Sequence, residues 1–377
     1  GTGNVNVPYI NTANRTNHFT VMNLNGGDLA TRYIWRANRN VNESRVNLNG
    51  TVINPQVEVS APFFHNDTGV TPPVTRVWPG NAFFNVTNGI PTRLISPLLA
   101  PEGNGIQAIA LSAKGSGYNA PPHVNIFGGG GSGATAISLI DRALGQITNI
   151  VVTSPGTGYT TNPVVTFTGG GGSGATIGTI TIGLNPSTGG LVKTGDGTLA
   201  LLGAGSTYGG ATVVNGGTLL VGAQDAVPPG SNIEIGDGTL DLAGHALTNG
   251  SVTFTGSGRL VNGEILSSRV VKTGSGTATF DTGVTLVPPT SAAYGRTPGL
   301  LEGMIRLAWN TNMPNPVIST QLTTRAGNGV KTNNLYYAGG LWAGDNHTWV
   351  YSGYLWNRLA TNVVWTFRGT FDDNVRL

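Results

Sequence analysis

Three kinds of residue in this sequence have types and spacings that could do chemistry. Carboxylates recur at glycine corners: Asp196 and Asp237 occupy equivalent Gly-Asp-Gly triplets, and Asp241 follows shortly after. Paired carboxylates cleave glycosidic bonds when about 5–9.5 Å apart. On stacked coils Asp196 and Asp237 stand two coils apart, roughly 10 Å at ordinary strand spacing. Aspartate in a glycine corner is also ordinary turn chemistry, and these acids are read as turn residues. Two identical loops, Gly128 to Thr135 and Gly169 to Thr176, spell GGGGSGAT. A phosphate loop needs Gly-Lys-Ser/Thr to place a cation on the phosphates. Here Gly133 and Gly174 are followed by Ala-Thr, so both loops are read as glycine turns.

The five histidines, His18, His65, His123, His245 and His347, form no His-x-x-x-His or Glu-x-x-His motif. No Gly-x-Ser-x-Gly elbow is present, and there is no cysteine, hence no disulfide, thiolate metal site or cysteine nucleophile. The adjacent acids Asp372 and Asp373 are the one candidate metal pair. Trp342 and Trp349, with Tyr336 and Tyr337, are candidates for stacking on sugar rings, or for the core of a sandwich.

The elements that would position these residues are strands. Glycine supplies 59 of 377 residues, and charged residues only 10%, against a usual share of about 25%. Lys and Arg form no cluster, which excludes a nucleic-acid surface. No run of about 18 apolar residues predicts a membrane helix. Residues 1–105 are rich in Asn and Thr, with alternating segments such as Val57-Glu58-Val59 and Asn-Gly turns at Asn25, Asn49 and Asn88. Residues 106–183 hold a tandem repeat. Gly115-Ser116-Gly117-Tyr118 recurs as Gly156-Thr157-Gly158-Tyr159, Pro122 as Pro163, and GGGGSGAT recurs in full, all at one offset. Residues 184–290 carry a shorter period: Gly195-Asp196-Gly197-Thr198-Leu199, Asn215-Gly216-Gly217-Thr218-Leu219 and Gly236-Asp237-Gly238-Thr239-Leu240, then weaker copies ending at Leu260 and Ala278. A turn and a short apolar strand every ~20 residues is what a stacked-coil solenoid requires. The recurrences from Gly115 to Gly276 are therefore read as corners of piled-up strands. Residues 291–377 hold five of the seven tryptophans and read as a further β domain. Strand-like sequence runs to Val375-Arg376-Leu377, so that domain is expected to be incomplete here.

Together these readings predict an all-β chain: a parallel β-helix or solenoid centre flanked by β-sandwich-like N- and C-terminal domains. The run from Val192-Lys193-Thr194-Gly195 through Asn215-Gly216-Gly217-Thr218-Leu219-Leu220-Val221-Gly222 resembles the autotransporter-associated β-strand repeat, with a degenerate second copy from Val271. That resemblance implies a right-handed parallel β-helix in an exported, cell-surface passenger domain. The 41-residue unit is similar to glycine-rich repeats of bacterial surface proteins. The C-terminal segment, with Phe371-Asp372-Asp373, resembles the first half of a protective-antigen-type β-sandwich domain. That likeness implies carbohydrate binding, with adjacent aspartates holding calcium.

The expected function is structural: an extracellular subunit of a surface fibre, layer or adhesive appendage, assembling with copies of itself by β-strand pairing. The alternative is a carbohydrate-binding adhesin, and a more distant one a polysaccharide-degrading β-helix enzyme. No catalytic residue, no cofactor other than calcium, no nucleic acid and no membrane span is expected. Gly1-Thr2-Gly3-Asn4 has neither a charged nor an apolar leader region, so a signal peptide is expected to have been removed.

Overall fold

The computed structural model describes residues 3–13, 19–36, 43–57, 61–66, 71–87, 89–267, 270–273, 275–281, 284–287, 300–306, 330–331 and 347–352. Every regular element among them is a strand. Alternation explains why. In Asp28–Thr31, Tyr33–Arg36 and Val52–Pro55 every second residue is buried and the others are half-buried, the period-two pattern of a sheet packed on one face.

Such short strands cannot bury their inner faces alone, so they stack. Nine run parallel in one sheet: Asn4–Asn6, Asp28–Thr31, Val52–Pro55, Ala82–Asn85, Leu191–Thr194, Thr212–Val214, Ile233–Ile235, Val252–Phe254 and Val270–Lys272. A second parallel sheet joins Thr92–Leu94, Thr198–Leu201, Thr218–Val221, Thr239–Asp241, Arg259–Val261 and Thr279–Phe280. Shorter parallel sheets close the coil at either end. The stack is a parallel β-helix with one continuous core. Its register lines up inward residues: Leu199, Leu219, Leu240 and Leu260 are successive partners, all fully buried. Each such leucine contributes about 1.5–3 kcal/mol by leaving water. The weak repeat aligned on Ala278 pairs two residues later than its motif indicates, because Leu260 faces Phe280.

Residues 4–99 do not build the sandwich-like unit expected over 1–105. Their pairings are parallel, and Ala82–Asn85 pairs directly with Leu191–Thr194, so they form the first coils of the same helix. Alternating Asn and Val sets which face a strand buries, not which strand it pairs with. The tandem repeat also departs from expectation. Residues 104–184 do not form coils but an antiparallel module inserted between Leu98–Leu99 and Leu191–Thr194. It has its own small core around Ile106, Ile109, Ile150 and Tyr159. The ends of the insertion meet, with Asn185 N donating to Gly103 O at 2.9 Å. Of the C-terminal domain, the described strands are Leu300–Arg306, flanked antiparallel by Val330–Lys331 and His347–Ser352.

Candidate functional site

The Val-Lys-Thr-Gly motif places its lysine where alternation demands an apolar residue. In the nine-stranded sheet, Leu29, Ile53, Phe84, Lys193, Val214, Ile235 and Phe254 are successive register partners, and Lys193 is as fully buried as Phe84. Its Nζ donates to the carbonyls of Thr194 and Gly195, each at 2.7 Å, and to Gly216 O on the next coil at 3.0 Å. All three ammonium protons are thereby satisfied, which is what makes a buried charge tolerable. Burial pushes its pKa down to about 8, against the raising effect of the Asp196 carboxylate. The motif's second copy repeats the arrangement more loosely: Lys272 follows Phe254 in the column and donates to Thr273 O at 2.7 Å and Ser275 O at 2.9 Å, but is exposed. Sequence reasoning missed this role, although the motif's recurrence was visible.

Asp237 and Asp241 are engaged in hydrogen bonds. The Asp237 carboxylate accepts from Ser257 N on the following coil at 2.9 Å. Asp241 accepts from Ala243 N at 2.9 Å and from Asn262 Nδ2 at 3.1 Å. The register places Asp196 and Asp237 two coils apart, since Leu199 pairs with Leu219 and Leu219 with Leu240. Among the described residues no group of three or more His, Asp or Glu side chains is placed to hold a metal ion. Asp372, Asp373, Trp342, Tyr336 and Tyr337 lie outside the described residues. Trp349 falls in the strand His347–Ser352, opposite Met304.

The inserted module has an internal two-fold. Asn104–Ser116, the start of the first repeat, pairs with Ser173–Leu184, the end of the second. Gln146–Thr157, the start of the second, pairs with Ser132–Asp141, the end of the first. Between them His123–Phe127 pairs antiparallel with Val164–Thr168, and the repeat-equivalent residues Asn125 and Thr166 face each other at the dyad. Each repeat thus completes the other. The GGGGSGAT loops are the hinges of this exchange: Gly128, Gly129 and Gly130, like Gly169, Gly170 and Gly171, hold φ between 73° and 79°, a region glycine enters without steric cost.

The module docks on the asparagine-rich sheet of the first coils. Asn23, Asn47 and Arg76 are register neighbours. Asn47 Nδ2 donates to Asn23 Oδ1 at 2.7 Å and to Ser154 Oγ at 3.2 Å. Asn23 donates to Thr135 Oγ1 at 2.9 Å, and Asn25 to Thr153 O at 2.8 Å. Arg76 reaches Ala100 O at 2.7 Å and pairs with Glu102, beside the module's stem. The asparagines of the first coils therefore serve, in part, to seat the chain's own insertion.

Residues 191–221 match the family model of the passenger-associated-transport-repeat. The passenger repeat runs from the strand Leu191–Thr194 to the strand Thr218–Val221 and includes Lys193 and the buried Tyr208, whose hydroxyl bonds Thr212 Oγ1 at 2.6 Å. It is a repeat of secreted, surface-exposed passenger domains. No curated protein and no solved structure matches the chain. No helix among the described residues is long and apolar enough to cross a membrane.

Proposed function

We propose that the chain is a structural subunit of an extracellular assembly, a β-helical rod that carries a side module and joins copies of itself by β-strand pairing. The observation that carries this reading is the uninterrupted nine-stranded parallel sheet. At about 4.8 Å per step it makes a shaft roughly 40 Å long. Parallel stacking ties every coil to its neighbours through backbone hydrogen bonds, which suits a load-bearing role better than a reactive pocket. With charged residues at 10%, few like-charge contacts oppose association between copies. In this reading the role is non-catalytic and needs no cofactor. Sedimentation velocity over a hundredfold concentration range, with electron microscopy of the same samples, tests it. Concentration-dependent oligomers or fibres are expected, and a persistent monomer overturns the reading.

Glycan binding is the second reading, and one observation favours it. On the sheet of Tyr9–Ala13, Tyr33–Arg36 and Phe64–Asn66, four aromatic rings cluster on one face, with Tyr33, Trp35 and His65 half-buried. Tyr9 and Tyr33 stack at 5.9 Å, Trp35 meets Tyr9 edge-on at 6.3 Å, and His65 meets Tyr33 at 5.7 Å. Tyr9 is half exposed, and aromatic faces of this kind hold sugar rings. Glycan-array binding that is lost in Trp35→Ala supports this reading, and equal binding by both proteins removes it.

A further inference from the structure

The inserted module has several sheet edges, and the outer strands differ in how they are guarded. The four-stranded sheet runs in the order Gln146–Thr157, Ser132–Asp141, His123–Phe127, Val164–Thr168. Its first edge strand lies against the helix, where Thr153 O and Ser154 Oγ accept from Asn25 and Asn47. The two-stranded sheet of Asn104–Ser116 and Ser173–Leu184 is broken by three register shifts, and bulges of this kind discourage further pairing. Val164–Thr168 has no such guard. It pairs with His123–Phe127 over five residues without a shift, and among the described residues no strand pairs with its other side. Its sequence, Val-Val-Thr-Phe-Thr, is uncharged and entirely β-favouring. Val164 is 63% exposed, as is its partner Phe127 at 56%.

The internal two-fold sharpens the contrast. His123–Phe127 has a second neighbour, the strand Ser132–Asp141, through His123 and Ile137. The repeat-equivalent of Ile137 is Gly178, whose strand leaves Val164–Thr168 to pair elsewhere. One copy of the repeat thus gains a single bridge on its second side, and the other gains none.

We propose that the open edge of Val164–Thr168 pairs with the same edge of a second copy, antiparallel about a two-fold axis at Thr166. This rests on the reading that the chain assembles by strand pairing and names the strand that does so. The module already makes this pairing with itself, since Asn125 and Thr166 face each other across its own dyad. A copy of Val164–Thr168 presents the same β-favouring pattern as His123–Phe127, without its histidine. Pairing sets Val164 opposite Thr168 of the copy and brings no like charges together. The result is one continuous eight-stranded sheet across the two modules, with the exposed Phe127–Val164 pairs beside the new seam.

The chain lacks cysteine, so a single introduced thiol reports the seam. Facing residues of an antiparallel pair have Cα atoms about 4.5–5.5 Å apart, inside the roughly 4.4–6.8 Å span of a disulfide. In the full chain, Thr166→Cys is expected to oxidise to a covalent dimer in most molecules, while Ala110→Cys, exposed on the bulged sheet, stays at background. Thr166→Lys, with an unchanged circular dichroism spectrum, is expected to weaken self-association at least tenfold. If the parent chain associates but Thr166→Lys leaves association unchanged and Thr166→Cys dimerises no more than Ala110→Cys, the edge assignment falls and assembly by other surfaces stands. If parent and Thr166→Cys both stay monomeric at every concentration, the edge and the assembly reading fall together.

Discussion

Tyr159 of the second repeat lies against the glycine loop of the first, so close that a β-carbon at Gly131 would fall 2.5 Å from its ring. Tyr118 of the first repeat stands in the same relation to Gly172 of the second, again at 2.5 Å. Both tyrosines are buried. The recurring Gly-x-Gly-Tyr and Gly-Gly-Gly-Gly motifs are therefore two halves of one contact made twice, each tyrosine filling the space that the other repeat's missing side chain leaves.

This contact predicts which glycines are irreplaceable and why. Gly131 and Gly172 do not have positive φ, so alanine there is opposed by crowding alone. Gly131→Ala and Gly172→Ala should each cost about 1–3 kcal/mol, the range for overpacking a filled site. Gly128→Ala meets no neighbour within 4 Å but carries a φ of 73°, so it should cost about 1 kcal/mol through backbone strain alone. Tyr159→Ala combined with Gly131→Ala separates the two neighbours of the missing β-carbon: the ring's share of the penalty should vanish, and the share from the Thr157 carbonyl, 2.7 Å away, should remain. Urea denaturation monitored by tyrosine fluorescence measures all four variants.

Lys193 and Lys272 share a motif and a column but differ in burial, and their replacement should differ accordingly. Lys193→Met strands the Gly195 and Gly216 carbonyls, while Thr194 O keeps its bond from Val86 N; it should destabilise the helix by about 2 kcal/mol, whereas the exposed Lys272→Met should change stability by less than about 0.5 kcal/mol. The pH dependence has a definite sign. Lys193 ionises near pH 10.5 when unfolded and at about 8 when folded. Between these values the unfolded chain holds a proton that the folded chain has released, so this group makes stability rise with pH. Tyr208, whose pKa burial raises above 10, acts oppositely, and only above that pH. Denaturant midpoints from pH 7 to 10 should show a rising contribution in the parent chain that Lys193→Met abolishes.

Much of the helix was legible from sequence because its signal is local: a glycine corner followed by Thr-Leu every ~20 residues fixes where each inward leucine stands, and Leu199, Leu219 and Leu240 pair as that spacing implies. What escaped was partner choice. The segment Val52–Pro55 alternates like any half-buried strand, and nothing in it says that Ala82–Asn85 will lie beside it in parallel. The tandem repeat misled for the related reason that a duplicated sequence does not say whether its copies stack in series or close on one another. Lys193 was illegible because alternation assigns a charged residue to solvent, and only the three converging carbonyls reverse that assignment.

The module docks through a short row of asparagines, Asn23, Asn25 and Asn47, with Asn47 the most buried of the three. Asn47 bonds Asn23 within the helix and Ser154 within the module. Asn47→Ala should therefore loosen the module without unfolding either part, at about 1–2 kcal/mol for the two bonds lost. Asn49→Ala, whose side chain bonds Asn25 and Gly80 N within the helix and nothing in the module, should leave the module's own exchange unchanged. Hydrogen exchange is the discriminating measurement: faster exchange confined to Gln146–Thr157 and Phe19–Asn25 is expected for Asn47→Ala, and uniform acceleration across the helix would contradict it.

The insertion's geometry makes a stronger demand on the whole molecule. Gly103 and Asn185 are hydrogen-bonded neighbours, so the residues between them leave the stack and return to nearly the same point. The coils on either side already touch without them: Ala82 pairs with Leu191, Thr92 with Leu199, and Thr207 N donates to Leu98 O at 3.0 Å. The helix core includes none of the module's residues. Replacing residues 104–184 with a two-residue Gly-Ser link should thus leave the parallel stack intact, with a cooperative thermal transition and a β-type circular dichroism spectrum. The cost should be limited to the newly exposed asparagine face, which water can satisfy. A shortened chain that fails to fold, under conditions where the parent folds, would mean that the module is required to bring the first coils onto the passenger repeat, making it a folding element and not a passive insertion.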